Sequence, residues 1–197
     1  MKLNTKEVAA LHPDYLGFIF WERSKRFFDG PIPELPANIK KVGVFVDGTL
    51  EGILKRIKKY NLQAVQLHGR ESPEFCKELK KHSVDIIKVF PIHDDFDFGT
   101  LEPYENTCDY FLFDTKGKLP GGNGYRFDWR VLKNYPSTKS YFLSGGIGLE
   151  EAGQVVEFLN SPEAKYCHAI DVNSRFELEP GLKDIVKLKE FMNSIKY

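Results

Sequence analysis

Short apolar segments rich in β-branched and aromatic residues recur along this chain with amphipathic helical patterns between them, and that alternation leaves few architectures open. The segments fall at residues 15–20, 41–46, 64–67, 85–90, 110–114, 140–143 and 169–172. Most are near-continuous apolar runs, as a parallel strand requires when helices cover one face and packed side chains fill the other. Helical periodicity occupies 50–60, 73–82, 149–159 and 182–195. Thr49 stands where the N-cap of the first helix belongs, and Ser72-Pro73 supplies a cap followed by a first-turn proline for the second.

Polar or glycine-rich residues cluster just after the strands: Leu67-His68-Gly69, Asp114-Thr115, Ser144-Gly145-Gly146 and Asp171-Val172-Asn173-Ser174. In a parallel barrel those positions share one rim, where active sites sit. An open doubly wound sheet is the competing arrangement, but no Gly-x-Gly-x-x-Gly turn follows the first strand. The 197 residues suffice for one buried core, fall short of a usual eight-unit barrel and contain no linker, so residues 1–197 are expected to form a single domain. Seven strands where eight belong predict a (β/α)8 TIM barrel lacking its first strand in this chain.

Charge excludes two partner classes. Lys plus Arg number 28 and Asp plus Glu number 28, so no net field favours nucleic acid or an anionic membrane, and any anion site must be local. No apolar run approaches the roughly 20 residues of a membrane span, and the polar Met1-Lys2-Leu3-Asn4-Thr5-Lys6 does not begin a signal peptide. A cytoplasmic location is expected. Cys76, Cys108 and Cys167 are widely spaced and odd in number, which argues against a disulfide framework and a zinc site.

Pro120-Gly121-Gly122-Asn123-Gly124, Gly145-Gly146 and Asn173-Ser174 follow consecutive strands, and such residues let backbone N–H groups approach a phosphate. A turn-forming role accounts equally well for either glycine cluster alone; three clusters on consecutive units favour a sugar phosphate. Asp114 ends an apolar strand, where a carboxyl can serve as general acid or merely bond the loop backbone. Arg26 follows the first strand and suits a carboxylate clamp, although a solvated basic loop fits the same residues. The five histidines show no metal-ligand spacing, and His68 reads as a hydrogen-bonded structural residue. Cys76 falls on a helix, while Cys108 and Cys167 precede their strands, so none is placed as a rim nucleophile or base.

Leu16-Gly17-Phe18-Ile19-Phe20, Val65-Gln66-Leu67-His68-Gly69, Phe113-Asp114-Thr115, Gly121-Gly122-Asn123-Gly124 with Phe127-Asp128-Trp129, Ser144-Gly145-Gly146-Ile147 and Ile170-Asp171-Val172-Asn173-Ser174 stand in one order across the whole chain. That pattern resembles the phosphoribosylanthranilate isomerase family of tryptophan biosynthesis. The resemblance implies an Amadori rearrangement without metal or cofactor. Phosphoribosylanthranilate opens, loses its C2′ proton and becomes 1-(o-carboxyphenylamino)-1-deoxyribulose 5-phosphate. It further implies Asp114 as the acid that protonates the ring oxygen, and Arg26 as the holder of the anthranilate carboxylate. Gly122, Gly124, Gly145, Gly146, Asn173 and Ser174 would bind or border the phosphate, with Asp171 near the sugar.

Two departures from the family pattern stand out. The family begins with a strand ending in Cys-Gly, whose cysteine is the general base, and Met1 falls about where the residue after Cys-Gly belongs. The expectation is that Met1 is internal to a longer protein and that this chain is impaired without the strand. Arg175 occupies a position where many relatives carry glycine, with an effect on the phosphate loop that sequence leaves open. Two other readings stand beside the isomerase: another phosphate-binding barrel, suggested only by Lys88 on its strand, and a non-catalytic barrel module. A monomer and a homodimer are both compatible with the sequence.

Overall fold

The computed structural model describes residues 1–115 and 128–195. In chain order it contains α1 (Thr5–Ala9), β1 (Tyr15–Ile19), β2 (Lys40–Phe45), α2 (Leu50–Tyr60), β3 (Ala64–Leu67), α3 (Pro73–Lys80), β4 (Asp85–Ile92), β5 (Tyr110–Thr115) and β6 (Tyr141–Leu143). There follow α4 (Ala152–Leu159), β7 (Cys167–Ile170), β8 (Glu177–Glu179), β9 (Leu182–Lys183) and α5 (Ile185–Ile195). Strands β1 to β7 form one parallel sheet in sequential order, the topology of a single-wound barrel. The caps expected from sequence are in place: Thr49 Oγ1 accepts from the Gly52 N–H at 3.2 Å, and Ser72 Oγ accepts from the Phe75 N–H at 3.3 Å.

The strand period of two sorts the apolar residues into two cores. Phe18, Phe45, Leu67, Ile86, Phe111, Phe113 and Leu143 face the helices, with Ile53, Leu79 and Phe191. Val42, Ala64, Ile87, Val89, Leu112 and Phe142 pack together on the opposite face, joined by Tyr15, Tyr110 and Ala169. The sheet curls around this inner cluster, because Tyr15 on the first strand meets Phe142 and His168 on the sixth and seventh. Its ends meet at the base of the strands. Tyr15 Oη on β1 lies 2.8 Å from His168 Nε2 on β7, and the Tyr15 ring meets Phe142 edge-on at 5.1 Å.

The curl stops short of closure. Among the described residues, β1 pairs with no sheet strand but β2 and β7 with none but β6, and the outer edge of β1 meets Phe27–Phe28 at Ile19. At the rim, residues 1–4 bridge the opening: the Met1 amine donates to the Gly17 carbonyl, Leu3 N–H donates to Gly181 O at 3.0 Å, and Asn4 Nδ2 donates to Lys183 O at 2.8 Å. Between that bridge and the Tyr15–His168 contact lies a cavity of about 510 Å³, floored by Leu188, Phe191 and Ile195 of α5. This is the open barrel, one strand short, that the sequence predicts.

Differences from the sequence reading are local. The predicted helix over 182–195 begins at Ile185, because Pro180-Gly181, with Gly181 at φ +93°, turns Leu182–Lys183 back against Glu177–Glu179 as a hairpin. Strand β7 starts at Cys167, which pairs with Tyr141 and therefore lies on the strand, where the sequence placed it before. A register shift between Tyr141 and Phe142 accommodates the earlier start. Strand β4 runs on to Ile92 through Pro91, which pairs with Asp114.

Phe20 N–H reaches β2 and Asp171 N–H reaches β6, so by alternation Phe18 and Ala169 donate inward to the sheet while Gly17 and Ile170 face the opening. Amide hydrogen exchange followed by NMR should show Phe18 and Ala169 more protected than Gly17 and Ile170. Equal protection would mean that both edges are paired in solution.

Candidate active site

The inner face of the sheet carries its polar groups at the rim. The alternation that buries Tyr110 and Leu112 inside places Asp114 inside one step higher; Ala64 and Gln66 are followed by His68, Phe142 by Ser144, and Ala169 by Asp171. Arg26, Gln66, His68, Asp114, Ser144 and Asp171 all line the 510 Å³ cavity. A smaller pocket of about 300 Å³, bounded by Asp47, Gly69, Arg70 and Pro91, shares His68 and Asp114 with it.

His68 Nε2 stands 3.5 Å from Asp114 Oδ2, and Gln66 Nε2 stands 3.2 Å from His68 Nδ1. An amide nitrogen can only donate, so Nδ1 accepts and the ring proton sits on Nε2, facing the Asp114 carboxylate. His68 is thus hydrogen-bonded, as its sequence context suggests, and its ring also belongs to the cavity. Asp171 accepts from Ser144 Oγ at 2.8 Å. Burial raises the Asp171 carboxyl above its ordinary range; the Ser144 bond opposes that rise and the nearby Asp114 charge adds to it. Two carboxyl groups with different surroundings therefore share one mouth, the arrangement from which proton transfer is built.

Gly145 and Gly146 adopt φ of +94° and +69°. A Cβ on Gly145 would lie 2.3 Å from the Thr115 nitrogen, while Thr115 Oγ1 donates to the Gly145 carbonyl at 3.2 Å. Only glycine fits there. Asn173 and Gly146 each stand three residues beyond the paired Ile170 and Leu143, so their loops rise side by side. Asn173, Ser174 and Arg175 are exposed. The Arg175 Cβ lies 3.3 Å from where a Cβ on Gly148 would sit, which puts Arg175 over the β6 loop. Gly122 and Gly124 lie outside the described residues.

Arg26 is not a free cation. Its Nε donates to Glu177 at 3.0 and 2.8 Å, and Nη2 stands 2.6 Å from Glu177 Oε2. Glu177 also accepts from the Gly181 N–H at 3.2 Å and from Lys183 Nζ at 3.2 Å. Lys183 Nζ donates further to Asn173 O at 2.8 Å and Asn173 Oδ1 at 2.7 Å. Burial lowers the Lys183 ammonium from its ordinary value, with Glu177 opposing. All three ammonium hydrogens have acceptors, so Lys183 acts as a held cation and not as a base. Sequence reading missed Glu177 and Lys183; two charges flanking Pro180-Gly181 were the only signal.

None of the cysteines sits at the rim, although Cys167 lines the lower part of the cavity. Cys76 on α3 and Cys108 are buried against each other as free thiols, and the Cys108 contact, with burial, raises the Cys76 thiol. Cys167 lies at the base of β7, its thiol pushed up to about 12 by burial. Among the described residues, no His, Cys, Asp and Glu side chains gather as a metal site, and no helix is long and apolar enough to cross a membrane. Lys88 points away from the cavity, with Nζ 2.8 Å from Gly69 O and 3.2 Å from the Glu71 carboxylate. That removes the only residue favouring another barrel chemistry. Glu71 in turn accepts from the Asp47 and Gly69 N–H groups, at 2.9 and 3.0 Å, and so braces the loop that carries His68.

A parallel barrel whose rim gathers two carboxyls, an imidazole and a held guanidinium around one cavity defines a (β/α) barrel with an acid–base site. The family described as N-(5′-phosphoribosyl)anthranilate (PRA) isomerase matches residues 3–194, and the chain belongs to that family. The isomerase of Parabacteroides distasonis is 46% identical over 198 residues, covering 98% of this chain and 88% of that protein. The isomerase of Campylobacter jejuni is 37% identical, covering 98% and 93%. Among solved structures, the phosphoribosyl anthranilate isomerase of Thermotoga maritima superposes with a TM-score of 0.84 at 30% identity, covering 98% and 95%. An isomerase solved in complex with reduced 1-(o-carboxyphenylamino)-1-deoxyribulose 5-phosphate superposes with a TM-score of 0.78 at 27% identity, covering 98% and 94%.

Two stability consequences follow from the buried ion pairs. Lys88 and Glu71 side chains are 4% and 2% exposed, so Lys88→Ala strands a carboxylate and should cost about 3 kcal/mol in urea unfolding. A change below about 0.5 kcal/mol would deny the pair that role. Burial would raise Glu177, but the Arg26, Lys183 and Gly181 donors outweigh it and hold the carboxyl below its ordinary 4.5. Its contribution is therefore complete above about pH 4.5 and is lost as pH falls through the folded value. Unfolding midpoints measured down that acid limb should fall less steeply for Glu177→Gln than for the unaltered protein.

Proposed function

We propose that this chain is an N-(5′-phosphoribosyl)anthranilate isomerase that rearranges the aminoaldose to 1-(o-carboxyphenylamino)-1-deoxyribulose 5-phosphate in tryptophan biosynthesis. The observation that carries the reading is Asp114, aimed from β5 into the cavity opposite the His68 ring, in a chain of the isomerase family. Asp114 is the general acid for the ring oxygen, with the His68 ring 3.5 Å from its carboxyl group. The raised carboxyl of Asp171, held by Ser144, borders the sugar. Backbone N–H groups of Gly145 and Gly146, with Asn173 and Ser174, bind the phosphate; Gly122 and Gly124, outside the described residues, are assigned to it by the family pattern alone. Arg26 receives the anthranilate carboxylate. The substrate supplies its own electrophile once the ring opens, so the residues need only move protons and hold two anions.

Among the described residues, none of the rim side chains is a cysteine that could act as the base. The three cysteines lie away from the rim, and the sheet is open between β1 and β7, beside the same cavity. We infer that a strand ending in Cys-Gly closes the barrel there and brings a thiolate to the C2′ proton, and that the 197 residues alone turn over slowly.

Incubation with fresh phosphoribosylanthranilate, followed by loss of its fluorescence, tests both parts. An N-terminal extension ending in Cys-Gly should raise turnover of the 197-residue chain by about 100-fold or more. Asp114→Ala in the extended protein should lower it by about 100- to 10,000-fold. No turnover by the extended protein, or turnover indifferent to Asp114→Ala, would overturn the reading.

A further inference from the structure

A guanidinium offers two bidentate edges, Nε with Nη2 and Nη1 with Nη2, each matched to a carboxylate. In this protein Glu177 takes the first edge of Arg26 through Nε and Nη2. Among the described residues, nothing engages Nη1. The Glu177 side chain is 4% exposed and Arg26 is 29% exposed, so the part of the pair that a ligand can reach is the guanidinium. Arg26 and Glu177 both line the cavity that holds Asp114.

We propose that Glu177 is a positioning and specificity-determining residue: it fixes Arg26 by the Nε–Nη2 edge and so presents the Nη1–Nη2 edge to a carboxylate on the aromatic amine of the substrate. This rests on the isomerase reading. Lys183 extends the unit, since its ammonium joins the same Glu177 carboxylate to the backbone and side chain of Asn173. One buried carboxylate thereby sets the residue that meets one end of the ligand and the loop that meets the other. The price of this arrangement is a desolvated carboxylate, offset by two cations and the Gly181 N–H. Without Glu177, Arg26 is free to swing on its flexible stem and would recognise a carboxylate only as a diffuse charge.

Calorimetric titration with reduced 1-(o-carboxyphenylamino)-1-deoxyribulose 5-phosphate and with its phenylamino analogue lacking the carboxylate separates positioning from structural support. Glu177→Gln keeps the shape of the side chain and weakens its hold on Arg26. The expected result is a loss of about tenfold in preference for the carboxylate ligand, with affinity for the analogue held within about threefold. Equal weakening of both ligands, or an unchanged preference, would overturn the proposal. The unaltered protein supplies a second readout that needs no variant. The Arg26 Nε–H resonance should stay in its carboxylate-bonded position when the carboxylate ligand binds, because Glu177 is not displaced. Its shift to a solvent-exposed position on binding would overturn the proposal. If neither ligand binds the unaltered protein, the isomerase reading falls and this inference with it; if both bind and only the preference test fails, the inference alone falls.

Discussion

Everything at the mouth of this barrel depends on the two-residue period of its parallel strands once the sheet is curled. Each strand that contributes an apolar residue to the inner cluster, whether Leu112, Phe142 or Ala169, necessarily turns its residue two places on toward the same axis. Asp114, Ser144 and Asp171 are those residues. Their convergence needs no special loop; it is bought by the same alternation that packs Phe111, Phe113 and Leu143 under the helices. A one-residue slip of β5 would send Asp114 into the outer core and Phe113 into the cavity.

The open side shows what that scaffold can and cannot hold with seven strands. At the base, Tyr15 and His168 draw the first and last strands together through one hydrogen bond and a set of ring contacts. At the rim, residues 1–4 lie between Gly17 and the β8–β9 hairpin. Between these ties the outer edges of β1 and β7 face a largely apolar cavity, where any backbone N–H or C=O without a partner is costly. Asp114 and Ser144 are mounted on strands inside the sheet, whereas Arg26 and Asn173 follow β1 and β7, the two strands that border the opening.

Much of this was legible in the sequence because it is governed by local pattern. Seven apolar segments gave the strands to within two or three residues, and Asp114 stood out because it ends the Tyr110-Phe111-Leu112-Phe113 run. What escaped the sequence was governed by distant partners. Glu177 and Arg26 are 151 positions apart, and Glu71 reads as an ordinary helix-flanking acid until Lys88 and two loop N–H groups close on it. Leu182–Lys183 continues a helical pattern on paper; the left-handed Gly181 and the ion pair of Lys183 with Glu177 turn it into a strand. A buried charge has no periodicity, so it is seen only when its counter-charge is in place.

The two buried ion pairs are mounted differently, and the difference bears on what each can do. Lys88–Glu71 lies outside the sheet and terminates on backbone groups of the Leu67–Gly69 turn, so its influence on the cavity passes through the position of His68. Arg26–Glu177–Lys183 lies at the cavity wall and ends on a guanidinium whose second edge meets no partner among the described residues. Replacing a buried pair by apolar side chains is often neutral or stabilising, so stability alone does not account for charges in either place. The first sets a loop; the second sets a cation whose remaining valence faces the ligand. In the isomerase reading, that division puts rigidity behind the proposed proton-handling side of the site and directed charge on the side proposed to meet the substrate's carboxylate.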